Sequence, residues 1–178
     1  MASFTERMLG AARLHLPTYE EVEADRTATG QAVGVVVLSS LATGIGSAQT
    51  EGLGGMVGGA IGALIGWAFW AWLTYFIGTK VLPTPQTHAD WGQLARVLGF
   101  AQSPGLLRIL GVLPFLGSRV FLITGIWTLV AVVIAVRQAL DYTSTLRAVG
   151  VCILGWIVQG ILIYFLGFFL PGSHSTSF

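Results

Sequence analysis

Residues 56–78 read MVGGAIGALIGWAFWAWLTYFIG, a run of 23 residues without a charged side chain. A transmembrane helix needs about 20 mostly apolar residues to cross the hydrocarbon core of a bilayer. The run has this length and therefore predicts a membrane-spanning helix. Three further uncharged blocks, residues 30–48, 121–136 and 148–170, reach or approach the same length.

A fifth apolar block, residues 103–117, is shorter and contains Arg108. Only 10% of the 178 residues are charged and the mean hydropathy is +0.77. This leaves too little polar surface to cover a water-soluble globule. The sequence therefore predicts an all-α fold, a polytopic transmembrane helical bundle of five spans with a broken third segment and an N-terminal interfacial helix.

The chain divides into three parts by composition. Residues 1–28 form a polar cytoplasmic segment, residues 29–171 the transmembrane helical domain, and residues 172–178 a polar tail. No short apolar core with a cleavage site precedes the first block, so that block is expected to act as an uncleaved insertion signal. Cys152 is the only cysteine and lies in an apolar run, which excludes an internal disulfide.

The positive charges between the blocks predict an orientation, because Lys and Arg accumulate on the cytoplasmic side of short loops. With five spans and the N-terminus inside, seven basic residues lie inside and one outside: Arg7, Arg13, Arg26, Lys80, Arg96, Arg137 and Arg147 against Arg119. If residues 103–117 re-enter the membrane instead of crossing it, the count becomes six against two. The first arrangement is favoured, with the protein in the inner membrane and the C-terminus outside.

The N-terminal segment carries two helix-start patterns. Ser3 with Glu6 and Thr18 with Glu21 have the spacing of capping boxes, which predicts two short helices separated by a turn before Pro17. The first helix is modestly amphipathic, so it either lies in the headgroup layer or is a solvated lead-in to the first span. Four carboxylates of the second helix are expected to form a solvated face, with a cytoplasmic partner or a metal as the alternative: Glu20, Glu21, Glu23 and Asp25.

Four glycines recur at every fourth position around the start of the second span: Gly54, Gly58, Gly62 and Gly66. This spacing places them along one stripe of a helix, where a neighbouring backbone can approach closely. The stripe is expected to be a helix-packing face, either within the chain or against a second copy or another membrane subunit. Trp67 is expected to fill space opposite the stripe, with a bound lipid as the alternative.

The third segment changes character along its length. Residues 89–101 combine helical apolar spacing with polar side chains, which predicts an amphipathic helix along the inner surface. Pro104, directly after Gln102 and Ser103, disfavours helical geometry before it and removes an amide donor, so the chain is expected to bend there. Broken backbone at membrane depth requires other groups to satisfy it. The segment is therefore expected to pack against the other helices.

Arg108 is a functional candidate because an intramembrane charge is costly. It lies one helical turn after Pro104, so it can also snorkel to the inner headgroups, which is the preferred interpretation. Its expected partners are Asp141 and Asp90. Arg137 and Asp141 close the fourth span and have the spacing of a surface ion pair.

No catalytic constellation, zinc spacing or nucleotide-binding motif is present, so the sequence predicts neither an enzyme nor a bound metal or cofactor. The basic residues are dispersed and the net charge is +1, which gives no sign of a nucleic-acid partner. Membrane lipid and other membrane proteins are the expected partners.

Several segments together resemble the Yip1-domain family of small five-span membrane proteins: PTYEE (17–21), ATGQA (28–32), Trp67 with YFIGTK (75–80), LARVLGFAQSP (94–104), and Trp127 with AVRQAL (135–140). The resemblance covers nearly the whole chain from about Leu16. Within the family, the chain is similar to the bacterial branch. It implies a cytoplasmic N-terminus and five helices. Eukaryotic members are associated with vesicle trafficking and small GTPases, but their long N-terminal region is missing here, so a GTPase role does not carry over.

These observations lead to two functional hypotheses. The first is a non-enzymatic integral membrane protein that acts through helix packing, as a membrane-organising or trafficking-like protein or as a small accessory subunit of a larger complex. The alternative is a transporter or lipid-translocating protein built around the broken segment 103–117.

Overall fold

The computed structural model describes residues 2–46, 55–113 and 115–169. These residues form seven α-helices and one 3-10 helix: α1 (Phe4–Ala12), α2 (Leu16–Ala24), α3 (Ala28–Gly46), α4 (Gly55–Phe76, continued by a π-helical turn, Ile77–Val81), α5 (Trp91–Phe100), the 3-10 helix (Ser103–Val112), α6 (Gly117–Ala139) and α7 (Thr145–Phe169).

Four of the described helices are long and apolar enough to cross a membrane. They are Ala28–Gly46, Ile61–Val81, Gly117–Ala139 and Thr145–Leu162, and they correspond to the four long apolar blocks of the sequence. The fifth block forms the 3-10 helix, which has ten residues and does not reach that length. The all-helical membrane fold is confirmed, whereas five spans are not.

The N-terminal segment is a pair of helices packed on the bundle. Ser3 and Glu6 make the predicted capping box at the start of α1. The second predicted box is wrong, because α2 begins at Leu16 with Pro17 in its first turn, and Thr18 is hydrogen-bonded to the His15 side chain instead. The described part of the segment is therefore folded against other helices rather than solvated on all sides.

Arg7 connects the first three helices. Its guanidinium donates hydrogen bonds to Glu21 at 2.9 Å, to Asp25 at 2.7 Å and to Gln31 at 2.9 Å. Its side chain is only 2% exposed. Two of the four carboxylates expected on a solvated face are thus committed to an internal ion pair, which corrects that expectation.

Further contacts attach the pair to the bundle. Trp127 of α6 donates its indole N–H to the carbonyl oxygen of Ala12 at 2.7 Å, which occupies a free acceptor at the end of α1. Tyr19 is fully buried and donates to the carbonyl oxygen of Ala11 at 2.9 Å. The ring of Phe4 meets that of Phe100 edge to face at 6.4 Å.

Helix α5 is largely buried by neighbouring helices, whereas the sequence had predicted an amphipathic helix with a polar face; its position along the inner surface of the membrane stays a prediction. Its residues 94–100 are all buried. Arg96, expected on the polar face, donates to the backbone carbonyls of Val22 and Glu23 at the end of α2. Gly99 permits the close approach to α3, since a Cβ atom there would lie 2.7 Å from the Cβ of Ala32. The charged side chain of Arg96 can be buried because these backbone carbonyl oxygens accept its hydrogen bonds.

Candidate functional site

A cavity of about 760 Å³ lies among α3, α4, α6 and α7. Two further residues complete the wall of the cavity: Gln102, directly before the 3-10 helix, and Arg108, within that helix. Volumes of about 300–1,000 Å³ are typical of small-molecule binding sites. This cavity is the candidate functional site.

Two glycines create part of its space. Gly66 of α4 and Gly125 of α6 both line the cavity, and a Cβ atom at either position would meet no atom within 4 Å. These residues do not serve as points of close helix approach. Larger side chains at either position would extend into the cavity, so the absence of a side chain keeps it open.

The predicted glycine stripe is therefore not a close internal packing face at the two positions where it can be followed. A Cβ atom at Gly62 would also meet no atom within 4 Å. Gly54 lies outside the described residues, and Gly58 lies in the first turns of α4 where the surroundings are not described. Contact with a second copy or another subunit remains a prediction for the stripe.

Close helix approach occurs at other glycines. A Cβ atom at Gly46 would collide with the carbonyl group of Arg108, and one at Gly105 would collide with the Ser39 hydroxyl. Both contacts join α3 to the 3-10 helix. Single glycines without a repeating spacing gave no signal of this in the sequence.

One face of α3 supplies three hydroxyls to the cavity wall. Ser39, Ser40 and Thr43 follow Val36 at helical spacing and line the cavity with it. Ser40 donates to the carbonyl oxygen of Val36 at 2.7 Å and Thr43 to that of Ser39 at 2.8 Å. Ser39 donates to the carbonyl oxygen of Gln102 at 2.7 Å. Their protons are committed to backbone oxygens, so these hydroxyls offer lone pairs to whatever lies in the cavity.

Arg108 lines the cavity and is weakly held. Its Nη1 lies 3.4 Å from the Thr43 hydroxyl, longer than the usual 2.9–3.0 Å of an N–H···O bond. Its Nε is buried and has no hydrogen-bond partner within the described ranges. The predicted partners are wrong, because neither Asp141 nor Asp90 forms an ion pair with it among the described residues.

Helix length explains why Asp141 does not reach Arg108. The backbone of Arg108 lies beside Gly46, close to Phe121 in the first turns of α6. Asp141 follows the other end of this helix, whose 23 residues span about 34 Å.

Aromatic and polar side chains complete the wall of the cavity. Trp70 and Trp156 have ring centroids 6.3 Å apart, and Trp70 fits against Gly155, where a Cβ atom would lie 2.8 Å from its ring. Trp67 also lines the cavity and donates its indole N–H to the carbonyl oxygen of Ala95 at 3.0 Å. Thr128 is buried, and its hydroxyl has no partner in the part of the chain that the structure describes.

The rim of the cavity is apolar and exposed. Leu122 and Ile126 of α6 are 64% and 56% exposed, and Trp156 of α7 is 48% exposed. All three line the cavity. The cavity therefore opens through the outer faces of two helices that are long enough to span a membrane.

The other predicted site residues lie elsewhere or play backbone roles. Pro104 is buried at the start of the 3-10 helix. Arg137 does not pair with Asp141, but donates to the carbonyl oxygens of Tyr142 and Thr143 after the end of α6. Asp141 adopts φ = 52°, the left-handed conformation common after a helix end. Neither of these two residues contacts the cavity.

A separate group of carboxylates lies where the N-terminal pair meets the bundle. Burial raises the pKa of Glu23 to about 7, and the charge of Asp141 adds to the shift. Arg96 acts in the opposite sense, whereas Glu20 and Asp90 raise the pKa further. In the described ranges no three His, Cys, Asp or Glu side chains are placed to hold a metal ion.

The sequence profile described as the Yip1 domain matches residues 17–176. The chain belongs to the Yip1 domain family. The match confirms the resemblance read from the sequence and covers the cavity-lining residues of this Yip1-domain protein. No curated protein and no solved structure matches it significantly.

Helix α1 precedes the matched region of the Yip1-domain chain, yet the structure places it on the bundle. Arg7 lies before residue 17, whereas Glu21 and Asp25 lie within the match. The amphipathic spacing of α1 and its capping box were the sequence signals for the helix. Neither signal could identify its partners, which lie 14 and 18 residues away along the chain.

Proposed function

We propose that this Yip1-domain protein is a non-enzymatic, membrane-organising protein that holds a membrane lipid in the cavity. The observation that supports it most directly is the combination of an exposed apolar rim with a polar inner wall, between helices of membrane-spanning length. A lipid has the same two-part chemistry. Its acyl chains suit the rim and its headgroup suits the guanidinium and the hydroxyls of the wall.

The position of the rim favours a ligand that arrives from the bilayer. Leu122 and Ile126 face outward from α6, the most apolar of the candidate spans. Because lipid tails surround such a surface, a lipid reaches the opening without passing through water. A water-soluble metabolite would have to cross an apolar surface first.

The proposal includes association with other membrane proteins, as a trafficking-like or accessory component. Gly62 lies on α4 outside the cavity wall, and a Cβ atom there would meet nothing within the chain. A helix of a partner or of a second copy can approach closely at such a position. Gly62→Leu is then expected to weaken assembly, measured as the mass of the complex extracted in mild detergent.

The proposed topology has five spans in the inner membrane, with the N-terminus cytoplasmic. It is supported by the distribution of basic residues. It is also supported by the contacts of α5 and the 3-10 helix along α3, which run from Gly99 beside Ala32 to Arg108 beside Gly46. Single cysteines at the exposed positions His88, Ser118 and Thr143 test it in a Cys152→Ser background. Five spans place the first and third positions on one side and the second on the other; labelling of positions 88 and 118 from the same side would exclude this topology.

Native mass spectrometry of protein extracted from its own membranes tests lipid binding. The wild type is expected to carry a stoichiometric lipid. Gly66→Leu extends a side chain into the cavity and should remove that lipid. Gly160→Leu is the matched control, because Gly160 has equally open surroundings but does not line the cavity. Equal lipid occupancy in wild type and Gly66→Leu would refute the proposal.

A further inference from the structure

The electrostatics of the cavity define the class of lipid it accepts. Among the described residues that line it, Arg108 is the only charged side chain, and none is Asp or Glu. The cavity therefore carries one uncompensated positive charge. A charge held between helices of membrane-spanning length is costly unless a counter-charge is present.

Arg108 has unused hydrogen-bonding capacity directed at this space. A guanidinium has five N–H donors, and among the described residues the Arg108 side chain makes one hydrogen bond, the long contact to Thr43. Its Nε is buried and unpartnered within the described ranges. Guanidinium groups bind phosphate through paired N–H donors, which gives strong, charge-assisted hydrogen bonds.

Thr128 offers a second unpartnered donor in the cavity wall. Thr128 is 8% exposed, and its hydroxyl makes no hydrogen bond to any described group. The hydroxyls of Ser40 and Thr43 have already donated their protons to backbone carbonyls. The free donors that line the cavity thus include a guanidinium and a hydroxyl, each of which can bind an anionic oxygen.

We propose that Arg108 binds the phosphate of a lipid with a net negative charge, whose acyl chains leave the cavity past Leu122, Ile126 and Trp156. The inference rests on the proposed lipid-binding function and adds the identity of the headgroup. A zwitterionic headgroup is disfavoured because its ammonium group finds no carboxylate among the described lining residues. The exposed apolar rim favours a lipid phosphate over a free phosphate ion.

Lipid titration of delipidated protein, followed by native mass spectrometry, tests the proposal. The probes are phosphatidylglycerol and phosphatidylcholine with identical acyl chains. The wild type should bind the first more tightly. Arg108→Gln should weaken phosphatidylglycerol binding roughly tenfold to hundredfold, the range for a lost hydrogen bond to a charged group. It should weaken phosphatidylcholine binding less, because that lipid also loses a phosphate contact but no longer faces a positive charge near its ammonium group, so most of the preference should disappear. Arg108→Lys keeps the charge and should retain most of the preference.

Arg119→Gln is the matched control, because it removes a positive charge from a residue outside the cavity wall. A wild type that binds both lipids equally, or an Arg108→Gln variant that keeps the preference, would overturn the headgroup assignment while lipid binding stands. A wild type that binds neither lipid would overturn the proposed function itself. Displacement of phosphatidylglycerol by an equal concentration of inorganic phosphate would show a free-anion site and overturn the lipid assignment.

Discussion

Arg7 is expected to determine how firmly the N-terminal helices stay on the bundle, and Arg7→Met tests this. The guanidinium is 2% exposed, while the side chains of Glu21 and Asp25 are 36% and 12% exposed. Removing one partner of a fully buried ion pair costs about 3–5 kcal/mol, because the other charge is left uncompensated. Water reaches Glu21 and reduces that penalty, so the expected loss is about 2–3 kcal/mol.

Hydrogen–deuterium exchange of the α1 amides in detergent measures this loss directly, because local opening exposes them. A loss of about 2–3 kcal/mol corresponds to a roughly 30- to 140-fold faster exchange. Arg13→Gln is the control, since Arg13 is exposed at the end of the same helix. Adding Glu21→Gln and Asp25→Asn to Arg7→Met should restore part of the protection, because no unpaired carboxylate then remains. Unchanged exchange in Arg7→Met would refute the reasoning.

Two further perturbations probe the same interface and the core. The raised pKa of Glu23 means that the folded state holds its proton more tightly than the unfolded state, so this contribution to stability is complete below about pH 4.5 and is lost as the pH rises through about 7. Glu23→Gln should therefore match the wild type in thermal unfolding at pH 4.5 and exceed it above pH 7; a constant difference across this range would contradict the assignment. Gly99→Leu should lower the unfolding temperature markedly because its side chain collides with Ala32, whereas Gly160→Leu should not; equal unfolding temperatures would argue against close α3–α5 packing.

The local features of the fold were predictable from the sequence. Apolar run length placed four of the helices, because spanning a bilayer imposes a length on each helix independently of its neighbours. The Ser3–Glu6 capping box likewise predicted the start of α1 independently of other helices, because both its hydrogen bonds form within one turn.

The predictions that the structure corrects concern contacts between segments that lie far apart in the sequence. Arg96 was assigned to a polar surface because backbone carbonyls of another helix leave no mark in a residue pattern, yet they satisfy its guanidinium. Arg108 was paired with Asp141 on the assumption that both approach one membrane boundary, whereas the structure pairs it with Thr43. The regular glycine spacing was interpreted as a contact face, but spacing alone does not distinguish a glycine that admits a neighbour from Gly66, which keeps a space empty.

The cavity was only partly foreseeable. Thr43, Thr128 and Gln159 are polar residues within three apolar blocks of the sequence, but they come from three different helices and no pattern links them. Gly125 carried no repeating pattern, and its importance appears only when α6 is placed beside the other walls. A site assembled from single residues of several helices depends on tertiary packing, which cannot be read from local residue patterns in a single sequence.

The hydroxyls of Ser40 and Thr43 have a consequence for engineering the cavity. Because each proton is engaged within α3, the helix presents partially negative oxygens to the cavity interior. Arg108 alone outweighs them with a full positive charge. Arg108→Gln would therefore leave these oxygens as polar groups that no cation offsets, and this single substitution is expected to remove the preference of the cavity for anionic amphiphiles.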